Sequence, residues 1–194
     1  FYLGDLMEFL KSLNWIDLLM LVLLVRIVYT SVKAGFVTEF MKTFATLIAV
    51  FLAFHYYTKI SAALGHYVGL TQPMLEALVF ATVWLITFVL MKFVRDGIFL
   101  VFTVQAISMV DRWGAVVVSI VRFALTASML MFVFLLTDQA YMERMTLTSL
   151  AQKQVLFVAP DVYKKTINGF VAKLLPTQKV DPAVIEELHE TGKK

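Results

Sequence analysis

Four segments of the chain are long and apolar enough to cross a lipid bilayer, and this feature constrains the fold most strongly. They cover Trp15–Ser31, Phe36–Tyr57, Met74–Phe93 and Gly114–Thr137. A spanning α-helix needs about 20 mostly apolar residues, because the hydrocarbon core is about 30 Å thick and a helix rises about 1.5 Å per residue. The segments therefore predict four transmembrane helices.

The composition supports a membrane protein and excludes other classes. Hydrophobic residues make up 60% of the 194 residues and charged residues only 16%, whereas soluble domains average about 25% charged residues. A soluble domain of this size could not bury so much apolar surface. The 8 glycines, 4 prolines and 17 phenylalanines also exclude disordered and collagen-like chains. We predict an all-α polytopic membrane bundle.

Two shorter apolar segments lie between the predicted spans. Gly97–Val110 would extend about 21 Å as a helix, which is too short to cross the bilayer. It is expected to lie at the interface, to re-enter the membrane, or to extend the third span past a bend at Gly97. Ile60–Met74 is interrupted by two glycines and a proline. We predict a connecting loop with a short interfacial helix there.

A charged tail begins after Thr137. Residues 138–194 carry eight Lys or Arg and seven Asp or Glu residues. We therefore predict a membrane domain over residues 1–137 and a soluble helical tail over residues 138–194. Within the tail, Asp181 before Pro182 predicts the N-cap and first turn of a short final helix.

The tail also contains an apolar stripe at helical spacing. Its members are Tyr163, Ile167, Phe170, Val171 and Leu174. Lys165 and Asn168 fall on the opposite face. Three surfaces would bury such a stripe: the chain's own membrane domain, the lipid surface, or a partner protein or second copy. Our hypothesis is that the stripe is a docking site that serves assembly.

The sequence contains no recognisable catalytic, cofactor-binding or metal-binding pattern. Cysteine is absent, and the three histidines, His55, His66 and His189, have no partner at metal-ligand spacing. We expect them to be interfacial or solvated, and we predict no enzyme, no cofactor and no metal. The net charge of +3 suits contact with anionic lipid headgroups better than binding of nucleic acid.

Charged residues within or near the spans are the informative polar positions: Asp17, Arg26, Glu39 and Arg122. A charge in hydrocarbon usually faces the bundle interior or reaches the interface. Helical side chains lean toward the N-terminus, so we expect Arg122 to reach back to the interface before its span. The same lean carries Arg26 away from its nearer interface. We therefore predict an interior partner for Arg26: Asp17 of a neighbouring subunit, or Glu39 and backbone carbonyls.

Residues around the start of the fourth span have predicted structural roles. Ala115 and Ser119 beside Gly114 form a small-residue pair that favours close helix packing. Asp111 is expected to cap this helix, and Trp113, like Trp15, is expected to anchor its span at the interface.

The distribution of Lys and Arg in the loops predicts the orientation. Five lie in the first and third loops: Lys33, Lys42, Lys92, Arg95 and Arg112. Three lie on the opposite side: Lys11, Lys59 and Arg144. Because short cytoplasmic loops are richer in Lys and Arg, both termini are predicted to face away from the cytoplasm.

Two stretches carry a family resemblance. The first joins Asn14-Trp15-Ile16-Asp17 to Lys33-Ala34-Gly35-Phe36-Val37-Thr38-Glu39 after the first span. The second is Asp111-Arg112, with Arg122 eleven residues after the aspartate. Over roughly residues 14–137 the chain resembles the colicin V production protein family, in which Ala115, Ser119 and Phe123 would be glycines.

The resemblance implies a bacterial inner-membrane protein with four spans, similar to proteins linked to peptide-toxin export and envelope stress tolerance. Related domains anchor extracytoplasmic serine proteases, which agrees with an external C-terminus. We expect a non-enzymatic accessory or scaffold protein that contacts the lipid bilayer and other envelope proteins. The alternative is a small transporter or channel formed by a homo-oligomer, because charges lie within the spans and a re-entrant segment is one expectation.

Overall fold

The computed structural model describes residues 14–101, 109–137, 149, 155–171 and 182–185. Its four long helices are α1 (Trp15–Ala34), α2 (Phe36–Leu64), α3 (Gln72–Val101) and α4 (Met109–Leu136). Each of them is long and apolar enough to cross a membrane. The predicted all-α bundle with four spans is confirmed.

Each of the four helices extends beyond its predicted span at one end or both. Helix α2 continues to Leu64, because Gly65 is the first residue of its sequence that ends a helix readily, and α3 starts at Gln72. The connecting loop predicted within Ile60–Met74 is present but covers only residues 65–71, and no separate interfacial helix lies there. Helix α3 runs through Gly97 to Val101, so this part extends the third span and forms no separate helix. Residues 102–108 lie outside the described part.

A single residue, Gly35, separates α1 from α2. Its backbone angles are φ 80° and ψ 167°, a region that residues with a Cβ atom almost never adopt. Its N–H donates a hydrogen bond to the Ser31 carbonyl oxygen at 3.1 Å. Glycine at this position therefore allows the chain to reverse direction between two spans without a longer loop.

Helix α2 packs against α3 and α4, and α1 packs mainly against α4. Helices α2 and α4 begin at the same end of the bundle, where α1 and α3 end. We call it the α1–α2 end. The core between α2, α3 and α4 is aromatic: the ring centroids of Phe54 and Phe132 are 4.7 Å apart, and those of Phe54 and Phe80 are 5.0 Å apart.

The tail joins this core at the opposite end of the bundle. Helix α5 (Val158–Thr166) is followed by a π-helical turn, Ile167–Val171. The Ser128 hydroxyl of α4 donates a hydrogen bond to the Leu156 carbonyl at 2.5 Å and accepts one from the Ala159 N–H at 3.0 Å. One buried hydroxyl thus holds the start of α5 against the membrane helices.

The docking hypothesis for the tail is corrected at two of its positions. Tyr163 and Ile167 are 0% and 1% exposed within the chain's own core, so they are not accessible to a partner. The physical reason is that α5 lies against α2 and α4, whose aromatic side chains cover the stripe. The side chains of Phe170 and Val171, and all of Leu174, lie outside the described residues. Lys165 and Asn168 are exposed, as predicted.

The structure also bears on the predictions for the histidines and for the final helix of the tail. His55 was expected to be interfacial or solvated, but it is 5% exposed and its Nδ1 lies 3.3 Å from the Tyr163 hydroxyl. His66 is exposed, as expected, and His189 lies outside the described residues. The predicted final helix is present as a helical turn over residues 182–185, and Val184 is buried in the same core. Asp181, its predicted cap, is outside the described part.

Candidate functional site

The most buried charge of the described helices is Glu39, in the first turn of α2. Its side chain is fully buried and contacts two cations. Arg122 Nη2 of α4 lies 2.6 Å from Glu39 Oε1, and Lys42 Nζ lies 3.3 Å from Glu39 Oε2. We call Glu39, Lys42 and Arg122 the ion cluster. Two cations face one carboxylate, so the cluster carries a net positive charge.

The ion cluster forms because α2 and α4 run side by side from the same end. The Thr43 hydroxyl, one turn after Glu39, donates a hydrogen bond to the Glu39 carbonyl at 3.0 Å and lies 3.5 Å from the Val118 carbonyl of α4. Ala115 and Ser119 are both 0% exposed, as expected for small residues where helices pack closely.

The expectation that Arg122 reaches the interface is wrong. Its side chain leans toward the N-terminus of α4, as predicted, but this direction brings it to Glu39. Arg122 as a residue is only 8% exposed. A buried ion pair in this position satisfies two charges that would otherwise be costly in hydrocarbon.

A second contact joins the same two helices nearer the α1–α2 end. The Asp111 Oδ1 atom accepts a hydrogen bond from the Phe36 N–H at 3.0 Å. Helix α4 begins at Met109, so Asp111 lies inside its first turn, and its carboxylate satisfies a backbone N–H at the N-terminus of α2. The capping of α4 by Asp111 stays a prediction. A Cβ atom on Gly114 would lie 3.0 Å from the Phe36 ring, so glycine allows this close approach.

The structure therefore brings together the two stretches that carry the family resemblance. Gly35 to Glu39 meets Asp111 to Arg122 through one hydrogen bond and one ion pair. Sequence reasoning treated these polar residues separately. The signal that could have paired them was the opposite charge of Glu39 and Arg122 on two different spans.

Asp17 lies at the opposite end of the bundle. It is 7% exposed, accepts a hydrogen bond from the Asn14 N–H at 3.1 Å, and accepts another from the Ser149 hydroxyl at 2.5 Å. It thus connects the start of α1 to the region after α4, which is a structural role that its place in the sequence did not reveal.

Arg26 and Arg112 are both exposed in the structure. The prediction that Arg26 pairs with Glu39 inside the chain is wrong, because α1 directs Met20 and Ile27 toward its neighbours. Arg26 precedes Ile27 by one residue, which is about 100° around the helix. Its side chain therefore lies outside the face of α1 that packs against the other helices. The other expected partner, Asp17 of a neighbouring subunit, stays a prediction.

A cavity of about 220 Å³ lies beside the ion cluster, between α2, α3 and α4. Its polar lining consists of four cationic side chains, Lys42, Lys92, Arg95 and Arg122. The described residues contain no group of three His, Asp or Glu side chains that could hold a metal ion. The chemistry of this cavity therefore favours an anion.

Comparison with known proteins agrees with the paired motifs. The family model described as Colicin V production protein matches residues 16–158. The chain belongs to the colicin V production protein family. It is thus a multi-pass membrane protein of a family associated with toxin production. No curated protein and no solved structure matches the chain.

The matched region includes every residue of the ion cluster and both members of the Phe36–Asp111 contact. It also passes the domain boundary that we predict at residue 137 and reaches Leu156, where the Ser128 hydroxyl holds the tail. That boundary stays a prediction. In this member of the colicin V production protein family, Leu156 is buried and held by the Ser128 hydroxyl of α4.

Proposed function

We propose that this colicin V production family protein is a non-enzymatic accessory or scaffold subunit of the bacterial inner membrane. It would support toxin export or a larger envelope assembly by binding another membrane protein. One observation carries the proposal: Arg26 is exposed in the middle of a helix that is long and apolar enough to cross a membrane. Family membership supports the link to toxin production.

The position of Arg26 makes exposure to lipid costly. It lies about 16 Å from the start of α1 and about 12 Å from its end, since a helix rises about 1.5 Å per residue. The side chain leans toward the N-terminus, away from the nearer interface. An arginine near the bilayer centre costs at least about 2.5 kcal/mol without a partner or a path to the interface. This cost favours a protein contact on this face.

The surroundings of Arg26 suit a helix–helix interface. Leu18, Val22, Val25 and Tyr29 are each 60% exposed and lie on the same side of α1. Their spacing of three to four residues forms a continuous apolar surface beside one cation. We call this surface, together with Arg26, the α1 face.

The expected occupant of the α1 face is a partner's transmembrane helix with an Asp or Glu at matching depth. A second copy of this chain fits less well. Within the described membrane helices, the carboxylates lie no more than six residues from a helix end: Asp17, Glu39, Glu76, Asp96 and Asp111. Copies in one membrane share one orientation, so none of these carboxylates reaches the depth of Arg26.

Site-specific photocrosslinking in cells tests this assignment. A photoreactive amino acid at Val22 is expected to form an adduct with another membrane protein, and one at Ile86, exposed on α3, is not. Arg26→Leu should reduce the adduct about tenfold or more, and Arg26→Lys should retain it, because only the leucine removes the charge. Membrane levels of the variants should be equal, because the Arg26 side chain is exposed in the described part of the chain.

The adduct also identifies the chemistry of the partner. Neutralising a carboxylate in the partner's spanning helix should abolish the adduct, and Arg26→Glu combined with an arginine at that partner position should restore it. An adduct with the mass of two copies of this chain would contradict the proposal. It would instead favour the second candidate function, an oligomeric transporter or channel.

The transporter or channel has support from the ion cluster, which places three charged side chains inside the bundle. Beyond the cluster, however, the space between α2, α3 and α4 is filled by Phe54, Phe80 and Phe132, each 0% exposed. A polar path across the membrane would therefore have to lie between copies of the chain. This packing supports the accessory or scaffold role over transport by a single chain.

The orientation is part of the proposal. We propose that the α1–α2 end is cytoplasmic and both termini are periplasmic, because five loop cations lie on that side and three on the other. The natural chain has no cysteine, so an introduced cysteine is the only thiol of the chain and its labelling reports the accessibility of that one position. In intact cells, an impermeant thiol reagent should label His66→Cys and should not label Arg112→Cys. The opposite labelling pattern would contradict this orientation.

A further inference from the structure

The cation-lined cavity carries an inference that is independent of the proposed partner. It is open between α2, α3 and α4 near the α1–α2 end and has a volume of about 220 Å³. Lys42 and Arg122 line it on one side, and Lys92 and Arg95 of α3 line it on the other. Cations from three different helices thus face one small space.

The charge in this space is only partly neutralised. Glu39 contacts Lys42 and Arg122, and Asp96 contacts Arg95 at 2.6 Å. Four cations face two carboxylates, which leaves a net charge of +2. Like charges that converge in a membrane protein are costly unless an anion joins them.

Arg122 offers an unused donor to such an anion. It is only 8% exposed, and its Nε has no hydrogen-bond partner among the described residues. Buried polar groups are rarely left without a hydrogen bond. Glu39 occupies the end of the guanidinium at Nη2, so the Nε–H remains available on a residue that lines the cavity.

An apolar groove of about 150 Å³ adjoins the cavity and shares Met41, Ala45, Met91 and Arg95 with it. Of its other lining residues, Phe40, Phe44 and Val94 are each more than half exposed, and Ile98 is partly exposed. The groove runs between α2 and α3 on the outside of the bundle, from the shared residues toward the α1–α2 end. The cavity is therefore bordered by apolar surface.

We propose that the cavity binds the phosphate group of an anionic phospholipid. The four cations select negative charge, and Arg122 donates to a phosphate oxygen. Basic pockets between transmembrane helices are a recurrent type of lipid headgroup site. The apolar surface beside the cavity favours a lipid phosphate over free phosphate, which has no apolar part to bury.

Native mass spectrometry of the purified full-length chain in detergent tests the site. Phosphatidylglycerol should bind about tenfold more tightly than phosphatidylcholine with the same acyl chains. The double variant Lys92→Gln/Arg95→Gln should lose about tenfold in phosphatidylglycerol affinity, because each cation near a headgroup contributes to binding. Both positions are at least partly exposed, so the fold should persist, and the melting temperature checks this.

The matched control is Lys33→Gln/Arg112→Gln, which removes two cations from the same end of the bundle but outside the cavity. It should change affinity less than twofold. An equal loss in both double variants would overturn the proposal, because binding would then depend only on surface charge.

One further measurement distinguishes the sources of the phosphate. Millimolar inorganic phosphate should not displace the bound phosphatidylglycerol, and displacement would show a free-phosphate site instead.

Discussion

Replacement of Glu39 by leucine is expected to destabilise the folded protein by about 3–5 kcal/mol, the usual cost when one partner of a buried ion pair is removed. Arg122 would keep its charge inside the bundle, with its guanidinium no longer next to a carboxylate. Lys42 would suffer less, because its side chain is 17% exposed and can reach water. Reversible unfolding in mixed micelles, followed by circular dichroism, measures the change.

The double variant Glu39→Leu/Arg122→Leu is the decisive comparison. Removal of both charges eliminates the uncompensated arginine, so the double variant should be more stable than Glu39→Leu alone. Arg26→Leu is the matched single control: it removes an arginine from a span without a buried carboxylate beside it and should change stability by less than about 1 kcal/mol. If Arg26→Leu were as destabilising as Arg122→Leu, the assignment of the buried partner would be incorrect.

Replacement of Tyr163 by alanine should have the second large effect, about 3–5 kcal/mol, as for other large aromatic residues removed from a core. Tyr163 is fully buried and its ring centroid lies 5.5 Å from that of Phe54. Its removal leaves a cavity where α5 meets the aromatic core. The same unfolding assay in micelles measures it.

Two control substitutions show which part of Tyr163 is responsible for this loss of stability. Tyr163→Phe keeps the ring and removes only the hydroxyl beside His55 Nδ1, so it should cost about 1 kcal/mol. Lys165→Ala changes an exposed residue of the same helix and should stay within about 0.5 kcal/mol of the natural chain. If Tyr163→Ala were as mild as Lys165→Ala, α5 would contribute little to the stability of the membrane helices.

The sequence predicted the four spans because hydropathy and length are local properties. A run of about 20 apolar residues has few alternatives to a spanning helix in a bilayer, whatever its neighbours are. The helix ends were predicted less exactly: α2 and α3 continue past the predicted boundaries to Leu64 and Val101. Helix propensity and tertiary packing can extend a helix beyond its most apolar part, and hydropathy does not report this.

The partners of the charged residues could not be predicted from the sequence around each of them. Side-chain lean follows from helix geometry, so it correctly gave the direction of Arg122 along its helix axis. It did not show whether a partner lies in that direction. Glu39 lies there because α2 and α4 start at the same end, and this depends on how four helices pack around one another. For the same reason the roles predicted for the two arginines were exchanged. Arg122 has the interior partner that was expected for Arg26, and Arg26 is exposed.

By itself, the sequence determined the fold class, the number of spans and the family resemblance, because each depends on residues close together in the chain. Only the tertiary structure decided that Glu39 pairs with Arg122, that Asp111 caps α2, and that Tyr163 is buried rather than free to dock. These contacts join residues between 75 and 109 positions apart. They depend on the rotation of each helix toward its neighbours, which a periodic pattern in one segment does not specify.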